Sequence, residues 1–135
     1  IRLLLETPLS KDAAGSEEIR RYGDGVKDIA LTVFDATKAY EQALRNGGES
    51  AYEPTVIKDA HGTVTMAGVK TYGRVVHTFV SRSGQYHLPT VKAGGQFLPG
   101  FRMMKDFALN EYNRQHPCGL KFFNNMVPDP LNHKT

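Results

Sequence analysis

Along residues 26–33, Val-Lys-Asp-Ile-Ala-Leu-Thr-Val, apolar and polar positions alternate. Ile29, Leu31 and Val33 fall on one face, and Asp28, Ala30 and Thr32 on the other. A period of two is that of a strand. The period then lengthens. Over residues 36–46, Ala36, Ala39, Tyr40, Ala43 and Leu44 make one stripe at helical spacing. Asp35 stands where a carboxylate can accept from the free N–H groups of a first turn, and Asn46-Gly47-Gly48 ends the stripe. Three strand-like runs follow, at about 50–58, 63–71 and 74–82. Asp59-Ala60-His61-Gly62 is a tight turn between the first two, and Gly73 marks a turn between the last two. The pattern over 26–82 is strand, helix, strand, strand, strand.

The flanks are less regular. Residues 1–5 are apolar and close at Thr7-Pro8, which reads as a strand stopped by proline. Residues 13–22 read as a short helix, with Ser16 capping its better-formed part and Gly23 and Gly25 stopping it. From Ser83 to Gly119 the periodicity is lost among Gly84, Pro89, Gly94-Gly95, Pro99-Gly100 and Pro117. So long a connection reads as a link to a next domain, with a short helix around 103–112. Leu120-Lys121-Phe122-Phe123 then reads as the first strand of that domain. Four segments result: a strand remnant of a preceding unit at 1–10, the strand–helix–three-strand unit at 11–82, an interdomain link at 83–119, and the start of a further domain at 120–135. Such a unit is an incomplete shell whose second sheet face needs covering. Pairing with another unit or with a second copy is expected, and so is a homo-oligomer.

Composition adds exclusions. With 40% hydrophobic and 23% charged residues, the 135-residue chain has the make-up of an ordinary globular protein. No apolar run is long enough to cross a membrane as a helix. The net charge of +3 comes from basic residues scattered among acids, as in Glu17-Glu18-Ile19-Arg20-Arg21, which is the pattern of a solvated face and argues against nucleic-acid binding. The single cysteine, Cys118, allows no disulfide within the chain, in keeping with a cytoplasmic location. It has no base at fixed spacing and is not expected to be a nucleophile. Gly23-Asp24-Gly25 precedes a strand instead of following one, so it is a turn and not a phosphate loop.

Two stretches carry a resemblance. Gly23-Asp24-Gly25-Val26-Lys27-Asp28-Ile29-Ala30 is one. The other runs from Glu53-Pro54-Thr55-Val56-Ile57-Lys58-Asp59-Ala60-His61-Gly62-Thr63-Val64 through Thr71-Tyr72-Gly73 to His77-Thr78-Phe79-Val80. Both resemble the N-terminal domain of 4-hydroxyphenylpyruvate dioxygenases, and Leu98-Pro99-Gly100-Phe101 is similar to a short motif that follows that domain. The resemblance implies an α+β fold: a strand–helix–three-strand unit of the vicinal-oxygen-chelate, or glyoxalase-like, class with a curved mixed sheet. It implies a parent that turns 4-hydroxyphenylpyruvate and dioxygen into homogentisate and carbon dioxide in tyrosine breakdown. Fe(II) is held there by two histidines and a carboxylate, all in the C-terminal domain. The same resemblance extends to 4-hydroxymandelate synthases, which use the same substrate and iron.

Carried over residue by residue, the resemblance leaves this chain without an iron site. The family's first iron histidine follows an aspartate after a stretch like Gly119-Leu120-Lys121-Phe122-Phe123. Here Asn124 and Asn125 stand in those places. In a metal-binding unit of the fold a histidine stands at Asp28 and a glutamate near Thr78. No catalytic, cofactor-binding or metal-ligating residue is therefore expected, and no iron on this chain. His61 reads as a solvated turn residue and His77 as a hydrogen-bonded one. His87, His116 and His133 lie in irregular sequence, and no pair has the spacing of a helical metal site. Phe97, Phe101, Phe107 and Tyr112 read as packing of the link. Two functions compete: a non-catalytic scaffold segment of an iron dioxygenase, and a stand-alone domain that dimerises and binds a small molecule.

Overall fold

The computed structural model describes residues 2–88, 95–101, 112 and 114–116. Its elements are helix α1 (Ser16–Tyr22), strand β1 (Asp28–Thr32), helix α2 (Ala36–Arg45), strands β2 (Ser50–Asp59), β3 (Gly62–Lys70) and β4 (Val76–Arg82), and a 3-10 turn, Gly84–Tyr86. The sheet order is β1-β4-β3-β2. β1 runs parallel to β4, with Ile29 opposite His77 and Ala30 opposite Thr78. Two residues join β2 to β3 and five join β3 to β4. Connections that short allow only antiparallel neighbours, so the sheet is mixed, and it is open. This is the α+β strand–helix–three-strand unit that the periodicity predicts.

The chain divides into two compact units. One comprises Arg2–Thr55 with Thr65–Ser81. The other comprises Val56–Val64 with the described residues from Arg82 onward. In the first, α2 starts as expected: the Asp35 carboxylate accepts from the Lys38 N–H at 3.0 Å. Its apolar stripe packs on the sheet. Tyr40, Ala67 and Val69 are buried together, with Ala43, Leu44 and Phe79 against them. Tyr40 also donates to the Ser50 hydroxyl at 2.7 Å. Leu44 faces the sheet but is only half-buried, so Tyr40 is the larger anchor. β1 is less covered than its alternation suggests: Ile29 is half-buried and Leu31 exposed.

Two expectations need correction. Residues 2–7 form no strand, and Leu3, Leu4 and Leu5 are exposed. A strand needs a neighbour to take its N–H and C=O groups, and no described strand lies beside this run. Helix α1 begins at Ser16 but is not capped by it. Gly15 is the cap residue, and the Ser16 hydroxyl donates instead to the Ser10 carbonyl at 2.5 Å. Gly23 ends α1, its N–H reaching the Ile19 carbonyl at 2.8 Å. The side of α1 is held by an ion pair from Arg74 to Glu18 at 2.9 Å, and the same guanidinium lies over the Tyr22 ring at 4.6 Å.

The short helix expected near 103–112 lies outside the described residues except for its last position. So do Cys118, Phe107, His133, the strand-like run 120–123, and Asn124 and Asn125.

Candidate functional site

Side chains alternate along β4. Phe79 points to α2, so Thr78 points to the opposite face of the sheet. There Thr78 is buried, 2% exposed, and is the centre of a polar chain. Its backbone N–H donates to one oxygen of the Asp28 carboxylate at 3.2 Å, and its hydroxyl donates to the other at 2.6 Å. A threonine has one hydroxyl proton. With that proton given to Asp28, Thr78 Oγ1 accepts from the Tyr52 phenol, 2.6 Å away. The order is Tyr52 to Thr78 to Asp28, drawn from β2, β4 and β1. The parallel register explains the meeting. Ala30 lies opposite Thr78, so Asp28, two residues earlier on the same face of β1, can reach across to it.

Tyr52 fits because of what lies beneath it. The backbone of β3 is bare at Gly68, and the Tyr52 ring occupies the space a Cβ would fill. Partial burial pushes the Tyr52 phenol above its ordinary pKa. The Thr78 hydrogen bond opposes that shift, and the negative Asp28 adds to it. Tyr52 therefore remains a neutral donor at neutral pH.

The two positions singled out in the sequence, Asp28 and Thr78, are thus brought together, but as partners of each other. Both carboxylate oxygens already accept hydrogens from Thr78. A hydroxyl and a neutral phenol are poor ligands for a divalent metal beside imidazole or carboxylate. The set does not fit a two-histidine, one-carboxylate iron centre. Among the described residues no three His, Cys, Asp or Glu side chains come together as a metal-ligating group. Tyr52 was not legible as part of this cluster. The available signal was the glycine inside β3, a gap that an aromatic neighbour can fill.

Thr78→Val keeps the shape of the side chain and removes the hydroxyl that both neighbours use. Asp28 and Tyr52 lose their partner in a partly buried place. The expected loss of stability is about 1–3 kcal/mol, with Tyr52→Phe costing about 1 kcal/mol. Urea unfolding of the purified variants measures both.

The described histidines are dispersed. His61 is exposed in the β2–β3 turn, its Nδ1 at 2.8 Å from Gln85 Oε1. His116 Nδ1 lies 3.1 Å from the Tyr112 carbonyl. His87 is exposed. His77 corrects the expectation of a hydrogen-bonded ring in one respect: its buried Nδ1 has no partner among the described residues. Phe97 and Phe101 meet edge to face at 4.9 Å.

A second polar pair lies in the other unit. The Tyr86 phenol, 1% exposed, donates to the Asp59 carboxylate at the end of β2. Burial and that acceptor push Tyr86 up to about 12. The Tyr86 hydrogen bond is the main cause that holds Asp59 below its ordinary value, helped by the His61 and Gly62 N–H groups. For Tyr86, whose folded pKa is raised, the associated stability is complete below about pH 10. It is lost as pH rises through about 12. Alkaline titration followed by tyrosinate absorbance is expected to show, besides the raised Tyr52, a step near pH 12. That step should vanish in Tyr86→Phe and persist in Tyr72→Phe.

No family model matches the chain. Individual relatives do. It is 40% identical over 129 residues to a 4-hydroxyphenylpyruvate dioxygenase of Dictyostelium discoideum, covering 94% of this chain and 33% of the relative. It is 39% identical over 105 residues to the enzyme of that name from Tetrahymena thermophila, covering 75% of this chain and 24% of the relative. With the one from Danio rerio the identity is 41% over 86 residues, 64% of this chain and 20% of the relative. The chain thus spans a quarter to a third of the length of the first two.

Proposed function

We infer that this chain is a segment of a 4-hydroxyphenylpyruvate dioxygenase, taken from the part of the enzyme that supports the reaction without performing it. The observation that carries the reading is 40% identity over nearly the whole chain to a relative of that name three times as long. The parent would consume 4-hydroxyphenylpyruvate and dioxygen and release homogentisate and carbon dioxide, in the cytoplasm, as a step of tyrosine breakdown. The shared name of the relatives favours this over mandelate synthesis.

The role of these residues is scaffold. Where a metal-binding unit of the fold would carry ligands, Asp28 and Thr78 are spent on each other and on Tyr52. Fe(II) would be held by two histidines and a carboxylate elsewhere in the parent, leaving positions open for a keto acid and dioxygen. The contribution of this unit is a sheet face closed by hydrogen bonds and an α2 face closed by Tyr40. The exposed Leu3, Leu5 and Val26 supply apolar surface for contact with another unit or a second copy.

The test starts from the source organism. An antibody raised against residues 36–70 is expected to capture a polypeptide about three times the length of this chain, in proportion to the relative, holding about one iron per chain. Capture of a 135-residue protein free of iron would favour the stand-alone domain instead.

A further inference from the structure

The periodicity is lost after β4, yet the first residues beyond it are among the most firmly tied in their unit. The Ser83 N–H donates to the Thr63 carbonyl at 2.9 Å, and the Thr63 N–H returns a bond to the Ser83 hydroxyl at 3.2 Å. The Gln85 N–H donates to the His61 carbonyl at 2.8 Å, while the Gln85 side chain meets the His61 ring. The Tyr86 ring is buried, stands edge-on to His61, and its hydroxyl ends on Asp59. Downstream, the Gln96 N–H donates to the Gln85 carbonyl at 3.1 Å.

Close approach makes this possible. Gly62 and Gly84 both have positive φ, at 144° and 61°, and their backbones lie against each other. A Cβ on Gly62 would overlap the Ser83 carbonyl, and one on Gly84 would overlap the His61 carbonyl. Only glycine at both positions lets two main chains meet so closely.

We propose that residues 83–86 are a latch that fastens the outgoing chain to the β2–β3 turn, with Tyr86 as the bolt and Asp59 as its keeper. The chain then leaves Tyr86 from a fixed point. The latch stands on the geometry of this chain alone and does not depend on the dioxygenase reading. If that reading holds, the latch fixes the point from which the polypeptide runs on toward the rest of the enzyme. Tyr86 and Asp59 are positioning residues in this role.

Amide hydrogen exchange on the full chain tests it, because a local opening accelerates only the amides it releases. In Tyr86→Phe, exchange at Gln85 and Gln96 is expected to quicken by about tenfold or more, one hydrogen bond's worth of local protection. Val33 and Ala39, bonded to Val80 and Asp35, keep their rates. Asp59→Asn retains an acceptor oxygen and should quicken the latch amides much less than Asp59→Ala. If Tyr86→Phe fails to fold, Asp59→Ala carries the test, since Asp59 is exposed and its loss leaves the core intact. Unchanged exchange at Gln85 and Gln96 in both Tyr86→Phe and Asp59→Ala would overturn the latch. So would equal acceleration at Val33 and Ala39, which would mean global loosening.

Discussion

Tyr40→Ala is expected to lower the stability of the chain by about 3–5 kcal/mol, the range for truncating a buried aromatic side chain. Tyr40 is the largest member of the cluster that joins α2 to β3 and β4, with Ala67 and Val69 beneath it and Phe79 beside it. A helix of ten residues is too short to persist alone in water. α2 therefore depends on this contact for its existence as well as its position. Tyr40→Phe separates the ring from the hydroxyl: it keeps the packing, gives up the bond to Ser50, and should cost about 1 kcal/mol. Chemical denaturation followed by far-ultraviolet circular dichroism measures both. A loss under about 1 kcal/mol for Tyr40→Ala would mean that α2 is held by something other than this face.

Gly68→Val is expected to cost about 3 kcal/mol, the upper end for forcing extra volume into a packed site. The valine Cβ would overlap the Tyr52 ring, and the backbone of β3 cannot retreat without disturbing its neighbours. The ring must swing out, and its hydroxyl then leaves Thr78. Both effects trace to one contact, so the energies should not add. In Tyr52→Ala/Gly68→Val the overlap is gone, and the pair should cost markedly less than the sum of its single changes. Strict additivity would show that Tyr52 does not rest on Gly68 in solution.

The central pattern was legible because it is periodic. The stripe from Ala36 to Leu44 and the Asp35 cap define α2 to within a residue of the Ala36–Arg45 found. The turn at 59–62 places β2 and β3 as closely, and Gly73 places the start of β4 to within two residues. Residues 1–5 failed for a physical reason: an apolar run becomes a strand only beside another strand, and sequence alone does not say whether a partner is present. The Asp28–Thr78 pair was half legible. The positions stood out, but their hydrogen bonds depend on the parallel register of β1 and β4. No local pattern encodes that register between residues fifty positions apart. The latch was hidden for the same reason. Gly84 reads as punctuation in an irregular stretch and Gly62 as part of a turn, and only the spatial return of Gly84 to Gly62 gives them and Tyr86 a shared role.

Oxygen uptake with 4-hydroxyphenylpyruvate, in the presence of Fe(II), compares the 135-residue chain directly with the longer polypeptide captured through residues 36–70. The expected result is uptake and homogentisate formation by the longer polypeptide and none by the chain. Turnover by the chain itself with about one tightly bound iron, or a longer polypeptide that folds, binds iron and leaves 4-hydroxyphenylpyruvate untouched, would contradict the assignment of these residues as the scaffold of a 4-hydroxyphenylpyruvate dioxygenase.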